Sequence, residues 1–251
     1  MRKLNILMIY ERAHGGVEVH VLTLSKALRN LGHNVLIFST YPVYSEEISL
    51  RLAIAVLMQP FLCFLEMVRI LRVVKETNID LVHVHSARLP LILGCFICRI
   101  TRMPLVVTMH EAWSRANKLN RQYKKADEVI AVSQEVKVIL EDYGVDTTKL
   151  VCIPNMVDAG SLSNATEPED RGYRVVFIGR LDPSKIGILK IVLEATPRIV
   201  KELPATQVWI VGPSGSKFLE ISRMARDIND RIGKKVIFLL GYVKDPARII
   251  E

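Results

Sequence analysis

The chain has 251 residues, half of them hydrophobic, and 34 Lys plus Arg against 26 Asp plus Glu give a formal charge of +8. That apolar content excludes intrinsic disorder, and four cysteines are too sparse for a disulfide scaffold. At roughly 100–200 residues per domain, the length fits one large domain or two modest ones.

The first element is the continuous apolar run Leu4–Tyr10, short enough for a strand buried on both faces. It lacks the cleavage site of a signal peptide, so a cytoplasmic location is expected. A loop ending in Gly15-Gly16 opens a helix over Val17–Leu31, with Val17, Val21, Leu24 and Leu28 at helical spacing and Gly32 placed to end it. A second strand follows at Val35–Ser39, and then a helical region from Ile48 to Glu76, broken near Pro60. Its apolar part, Leu52–Leu65, is too short to span a bilayer, which takes about 20 residues. Strands are expected at Ile79–His85, Leu105–Met109, Glu128–Val132 and Leu150–Ile153, with helices at Leu89–Ile100 and Gln134–Tyr143. The segment Asp158–Gly172 is poor in apolar residues and reads as a linker. Beyond it the alternation restarts: strand Arg174–Ile178, helix Gly187–Leu203, strand Gln207–Val211, helix Lys217–Ile232 and strand Val236–Leu240. This order predicts an α/β fold with parallel sheets covered on both faces.

Ligands of open α/β sheets bind beyond the carboxyl ends of the strands, so the residues following each strand carry the functional interest. After the first strand, His14-Gly15-Gly16 offers close backbone approach and free N–H groups at a helix start, or simply a loop that needs glycine. After the third, His83-Val84-His85-Ser86 puts two histidines on one face. A metal pair is one reading, but no third ligand sits at useful spacing, which favours satisfied structural histidines. After the fourth, Thr108-Met109-His110-Glu111 places a histidine where it can meet a substrate hydroxyl, unless it is an ordinary loop histidine. In the later part, Gly179-Arg180-Leu181-Asp182-Pro183-Ser184-Lys185 presents an arginine fork and a flexible lysine suited to a diphosphate. Val211-Gly212-Pro213-Ser214-Gly215 is a second Gly-rich turn at the same edge. Cys95 and Cys98 have CxxC spacing inside an apolar helical run without a second pair, so they read as packing. The basic residues are spread evenly and no aromatic or basic recognition element appears, which argues against nucleic acid. The absence of G-x-G-x-x-G argues against a dinucleotide-binding oxidoreductase.

Seven of these segments, in order, resemble the retaining GT-B glycosyltransferases of family 4. Gly15-Gly16-Val17-Glu18-Val19-His20 looks like the family's GGxExH. Leu81–Ser86 looks like its "DVVHxHs" strand, Val106–His110 like "vxTxH", and Ala126–Ser133 like "ADxviavS". Ile153-Pro154-Asn155-Met156-Val157-Asp158 is similar to "iPNGvD", with Met156 in place of the usual glycine. Gly179-Arg180-Leu181-Asp182, with Lys185 and Gly187, is similar to "GRLxxxKG", and Gly241-Tyr242-Val243 to "lGyv".

The resemblance implies a GT-B fold, with a Rossmann-like acceptor-side domain at residues 1–160, a linker at 161–172 and part of a nucleotide-sugar-binding Rossmann-like domain at 173–251. It implies transfer of a sugar from a nucleotide-sugar donor to a glycan or lipid-linked acceptor with retention of configuration, and no cofactor and no metal. His110 would be the catalytic contact near the transferred sugar. Arg180 and Lys185, with Gly15 and Gly16, would hold the donor diphosphate. His85, Glu111, Asn155, Gly212 and Gly215 would line the substrate. Peripheral contact with the inner face of a membrane would come from Leu52–Arg72. The family's paired glutamates lie beyond "lGyv", and the chain ends at Glu251, so an incomplete enzyme, or one completed by a second chain, is the expectation. A non-catalytic subunit that binds a nucleotide sugar or a partner is the alternative.

Overall fold

A computed structural model of the chain describes residues 2–11, 15–40, 64–65, 67–85, 89–110, 118–157, 172–181, 183–213, 215–243 and 249. Internal packing divides it into two units, Met1–Val157 and Asp158–Glu251.

In the first unit, β1 (Asn5–Glu11) runs into α1 (Gly16–Asn30) and β2 (Asn34–Thr40). A helix over residues 67–77, α2, precedes β3 (Leu81–His85), α3 (Leu89–Thr101) and β4 (Leu105–Met109). A 3-10 segment (Lys118–Lys125), β5 (Glu128–Ala131), α4 (Gln134–Asp142) and β6 (Leu150–Cys152) complete the unit. All six strands are parallel, in the order β2-β1-β3-β4-β5-β6. The chain therefore leaves β1 for β2 on one side and takes up β3 on the other, which makes the β1/β3 boundary the topological switch point.

Alternation along each strand sorts the core into two faces. Leu7 and Ile9 of β1, Val82 and Val84 of β3, and Leu105, Val107 and Met109 of β4 join Ile70 of α2, Leu91 and Ile97 of α3, and Leu140 of α4 in one cluster. Ile6, Met8 and Tyr10 of β1 pack on the opposite face with Val21 of α1 and Val35 of β2. Helix α1 ends where Gly32 adopts φ +91° and His33 N–H returns to Leu28 O at 3.1 Å, a Schellman closure at the expected glycine.

The second unit contains β7 (Arg174–Ile178), α5 (Pro183–Glu202), β8 (Gln207–Val211), α6 (Phe218–Ile232) and β9 (Ile237–Gly241), its strands parallel in the order β7-β8-β9. Its core joins Leu189 and Leu193 of α5 to Val208 and Ile210 of β8 and to Ile221, Ala225 and Ile228 of α6. Asn229 fixes the entry to β9: its Oδ1 accepts from Val236 N–H at 2.9 Å and from Ile237 N–H at 3.0 Å. Helix α5 starts at Pro183, earlier than the expected Gly187, because proline's fixed φ and missing N–H suit a first helical position. The expected linker over 161–172, apart from Gly172, and the helical stretch 48–63 lie outside the described residues.

Candidate functional site

Strand parity collects histidines on one face of the first sheet. Val82 and Val84 pack on the α2–α3 side, so His83 and His85 point to the side occupied by α1. In β4 the same alternation turns Thr108, and His110 just past the strand end, toward that side. From above, α1 supplies His20, which lies one turn in from Gly16 and is buried beside Val21.

Four imidazoles therefore gather at the carboxyl edge of β3 and β4, next to the switch point. His83 Nε2 lies 2.8 Å from Thr108 Oγ1, and the His83 and His85 rings are 4.0 Å apart between centroids. His85 Nδ1 lies 3.4 Å from His110 Nε2. His20 sits edge-on to His110 at 4.9 Å and tilted to His85 at 5.5 Å. His83 and His85 are buried and His110 is half-buried. Desolvation, which penalises the charged ring, dominates their acidities. It pushes His83 down to about 3 and His110 down to about 4, holds His85 well below the ordinary value, and lowers His20. At neutral pH the cluster is a set of uncharged rings, each offering one donor and one acceptor nitrogen. His20 Nδ1, His85 Nε2 and His110 Nδ1 are buried without a hydrogen-bond partner among the described residues.

His83 is satisfied by Thr108, as expected of a structural histidine, whereas His85 gains ring neighbours that spacing along the sequence does not reveal. His20 and His110, from sequence-distant elements, join His85, with one nitrogen of each ring within 4.8 Å of the others. His20 was legible only as a motif letter. The missed signal was its helical spacing from Val17 and Leu24, which puts it on the buried side of α1.

Beside the cluster, α1 begins directly after β1. Gly15 is its N-cap with an extended backbone and no side-chain cap, which leaves helix N–H groups open to an acceptor. Gly16 has no steric need to be glycine among the described residues, because a Cβ there would meet none of them within 4 Å. His14 and Glu111 lie outside the described residues. Asn155 is exposed beyond β6 and is not among the residues the histidine cluster brings together.

In the second unit, Arg180 follows β7 and is exposed, and Lys185 is exposed in the first turn of α5 rather than on a loop before the helix. Both flank a helix start, where N–H groups favour anions. Gly212, at φ +150°, has a role internal to the fold: a Cβ there would land on the Gly179 carbonyl, so the turns after β7 and β8 touch only because it is glycine. Gly215 accepts from Phe218 N–H at 3.0 Å and leads into α6. Cys95 and Cys98 are free thiols that pack as expected, and burial pushes Cys98 up to about 12. No described helix is long and apolar enough to cross a membrane.

The sequence profile described as Glycosyltransferase Family 4 matches residues 14–160, the stretch that carries all four cluster histidines. A phosphatidyl-myo-inositol mannosyltransferase of Mycolicibacterium smegmatis is 27% identical over 93% of this chain, and the chain covers 63% of that protein. The namesake of Mycobacterium leprae is 28% identical over 79% of the chain and 57% of its own length. The chain thus spans about three fifths of the curated relatives it matches. Among solved structures, HepE of Anabaena, in complex with UDP and glucose, superposes with a TM-score of 0.69 at 19% identity, covering 98% of this chain and 71% of that one. The lipopolysaccharide outer core galactosyltransferase WaaB, in its apo form, superposes with a TM-score of 0.63 at 16% identity over 98% and 70%. Profile, relatives and fold agree with the ordered motifs: the chain belongs to glycosyltransferase family 4 and has the GT-B fold.

Proposed function

We propose that this chain acts as a retaining hexosyltransferase, moving a sugar from a nucleoside-diphosphate sugar to a glycan or lipid-linked acceptor. The observation that carries the reading is the convergence of neutral, partly unpartnered imidazoles at the switch point of the first sheet, with His110 at its half-buried rim. Neutral imidazoles suit sugar hydroxyls, because each ring presents a donor and an acceptor without charge. Support also comes from HepE, whose structure holds UDP and glucose, and from relatives named for mannosyl transfer to a phosphatidylinositol.

In this reading His110 binds the transferred sugar beside its reacting carbon, and His85 holds the His110 ring through the 3.4 Å contact. Arg180 and Lys185 take the diphosphate and offset the charge that grows on it as the glycosidic C–O bond breaks. The acceptor oxygen forms its bond to the anomeric carbon on the face the phosphate leaves, and its proton passes to the departing phosphate oxygen. Gly15 and Gly16 offer open backbone N–H groups at the start of α1 to an anionic group. Phe64, Leu65 and Val68, all exposed at the start of the α2 region, suit contact with the inner face of a membrane carrying a lipid acceptor.

The test is a transfer assay with radiolabelled UDP-glucose, UDP-galactose and GDP-mannose, using phosphatidylinositol vesicles and a lipid-linked glycan fraction as acceptors. One donor is expected to label an acceptor, and His110→Ala to cut the rate by roughly 100-fold or more. An undiminished rate in that variant would remove His110 from the mechanism. Failure of every donor to transfer or bind would overturn the function.

A further inference from the structure

His20, His85 and His110 bring three imidazole nitrogens within 4.8 Å of one another. Each of these rings also carries a buried nitrogen without a partner among the described residues, and His85 has no solvent exposure at all. Three nitrogen ligands from rigid elements, a strand end, the residue after a strand and the second turn of a helix, make an open three-coordinate set. Tetrahedral zinc with Zn–N of about 2.0–2.1 Å places its ligands roughly 3.3 Å apart. His85 Nδ1 and His110 Nε2 already stand at 3.4 Å, and each of the three rings brings one nitrogen within 4.8 Å of the others. We infer that His20, His85 and His110 form a binding site for one divalent ion of the zinc class, with a fourth position open to water or a substrate oxygen.

The donor set selects the metal. Imidazole suits zinc, copper and nickel, whereas magnesium and calcium want oxygen ligands that this cluster does not supply. The two cysteines at CxxC spacing are not an equivalent pair, because Cys95 Sγ points to Gln122 O and Cys98 Sγ to Pro104 O, each at 3.8 Å. An ion at the histidines would withhold His110 from a sugar, so zinc is expected to inhibit transfer and a chelator to restore it. That consequence rests on the transfer reading; the existence of the site does not.

The experiment is titration of the chelator-treated chain with Zn2+, Co2+ and Mg2+ in the absence of any nucleotide or sugar, by calorimetry and, for cobalt, visible absorption. One Zn2+ per chain is expected, with Co2+ giving the intense d–d bands of a tetrahedral site and no thiolate charge-transfer band, and Mg2+ giving no heat. His20→Ala, His85→Ala and His110→Ala should each weaken Zn2+ binding by more than about 100-fold, beyond the roughly 10–100-fold that loss of a merely supporting group costs, while His33→Gln leaves it unchanged. Circular dichroism identifies the variants that remain folded, and any one of them suffices. Absence of Zn2+ binding, binding that survives in the folded variants, or a thiolate band that places the ion on cysteine would each overturn the site.

Discussion

At the scale of single residues, the histidine cluster makes the fold sensitive to acid. His83 is lowered to about 3 and His110 to about 4 from an ordinary value of 6.5, chiefly by desolvation, and His20 and His85 move in the same direction. Between the lowered and the ordinary values the unfolded chain binds protons that the folded chain refuses, so these groups leave stability intact above about pH 6.5. It is then lost progressively as pH falls, by up to ~1.4 kcal/mol per pH unit for each histidine. Urea unfolding at pH 7 and pH 5 is expected to show a marked loss at pH 5. His83→Asn should shallow that dependence by about one proton; an unchanged slope would mean that His83 is not held neutral. The His83–Thr108 pairing itself was not legible, because a strand's parity is visible in sequence but the register of its neighbour is not. His83 and Thr108 meet only because β4 aligns Val106 with His83.

At the scale of elements, strands and helices were legible to within a residue or two in most places, because each strand is a short apolar run and each helix keeps its apolar spacing. Leu105–Met109, Arg174–Ile178 and Gln207–Val211 fall where the periodicity puts them. The start of α5 was misplaced because Gly187 drew the boundary, whereas Pro183, a natural first residue, sets it. Helix α3 shows a constraint that periodicity does not reveal. Gly94 is buried in its middle, and a Cβ there would come within 2.5 Å of Val84 Cγ2 and 3.4 Å of Leu105 Cδ1. The glycine lets the helix settle onto β3 and β4, the strands that carry His85 and lead to His110. Gly94→Ala is therefore expected to destabilise the chain by about 1–3 kcal/mol despite alanine's better helix propensity. Thermal unfolding checks this, and a stabilised variant would mean that α3 is free to lift away.

At the scale of the whole molecule, the first unit carries a switch point lined by neutral imidazoles, and the second carries a cationic helix start. The residue types for both sites could be read along the chain, but only folding shows that His20, His85 and His110 share one spot. Gly212 also serves the packing of two turns, a role that was not legible because a close approach of backbones leaves no mark in sequence beyond a glycine. The proposed function requires recognition of a donor diphosphate, and it assigns that role to Arg180 and Lys185, both exposed at the start of α5. Calorimetric titration with UDP and GDP probes that directly, using the wild type, Arg180→Ala and, as a control on the other unit, Arg102→Ala. One nucleotide should bind the wild type and the control alike and lose at least tenfold in affinity in Arg180→Ala, in line with a charge-assisted contact of about 1.5–3 kcal/mol. Equal affinity in all three proteins, or binding of neither nucleotide, would contradict it.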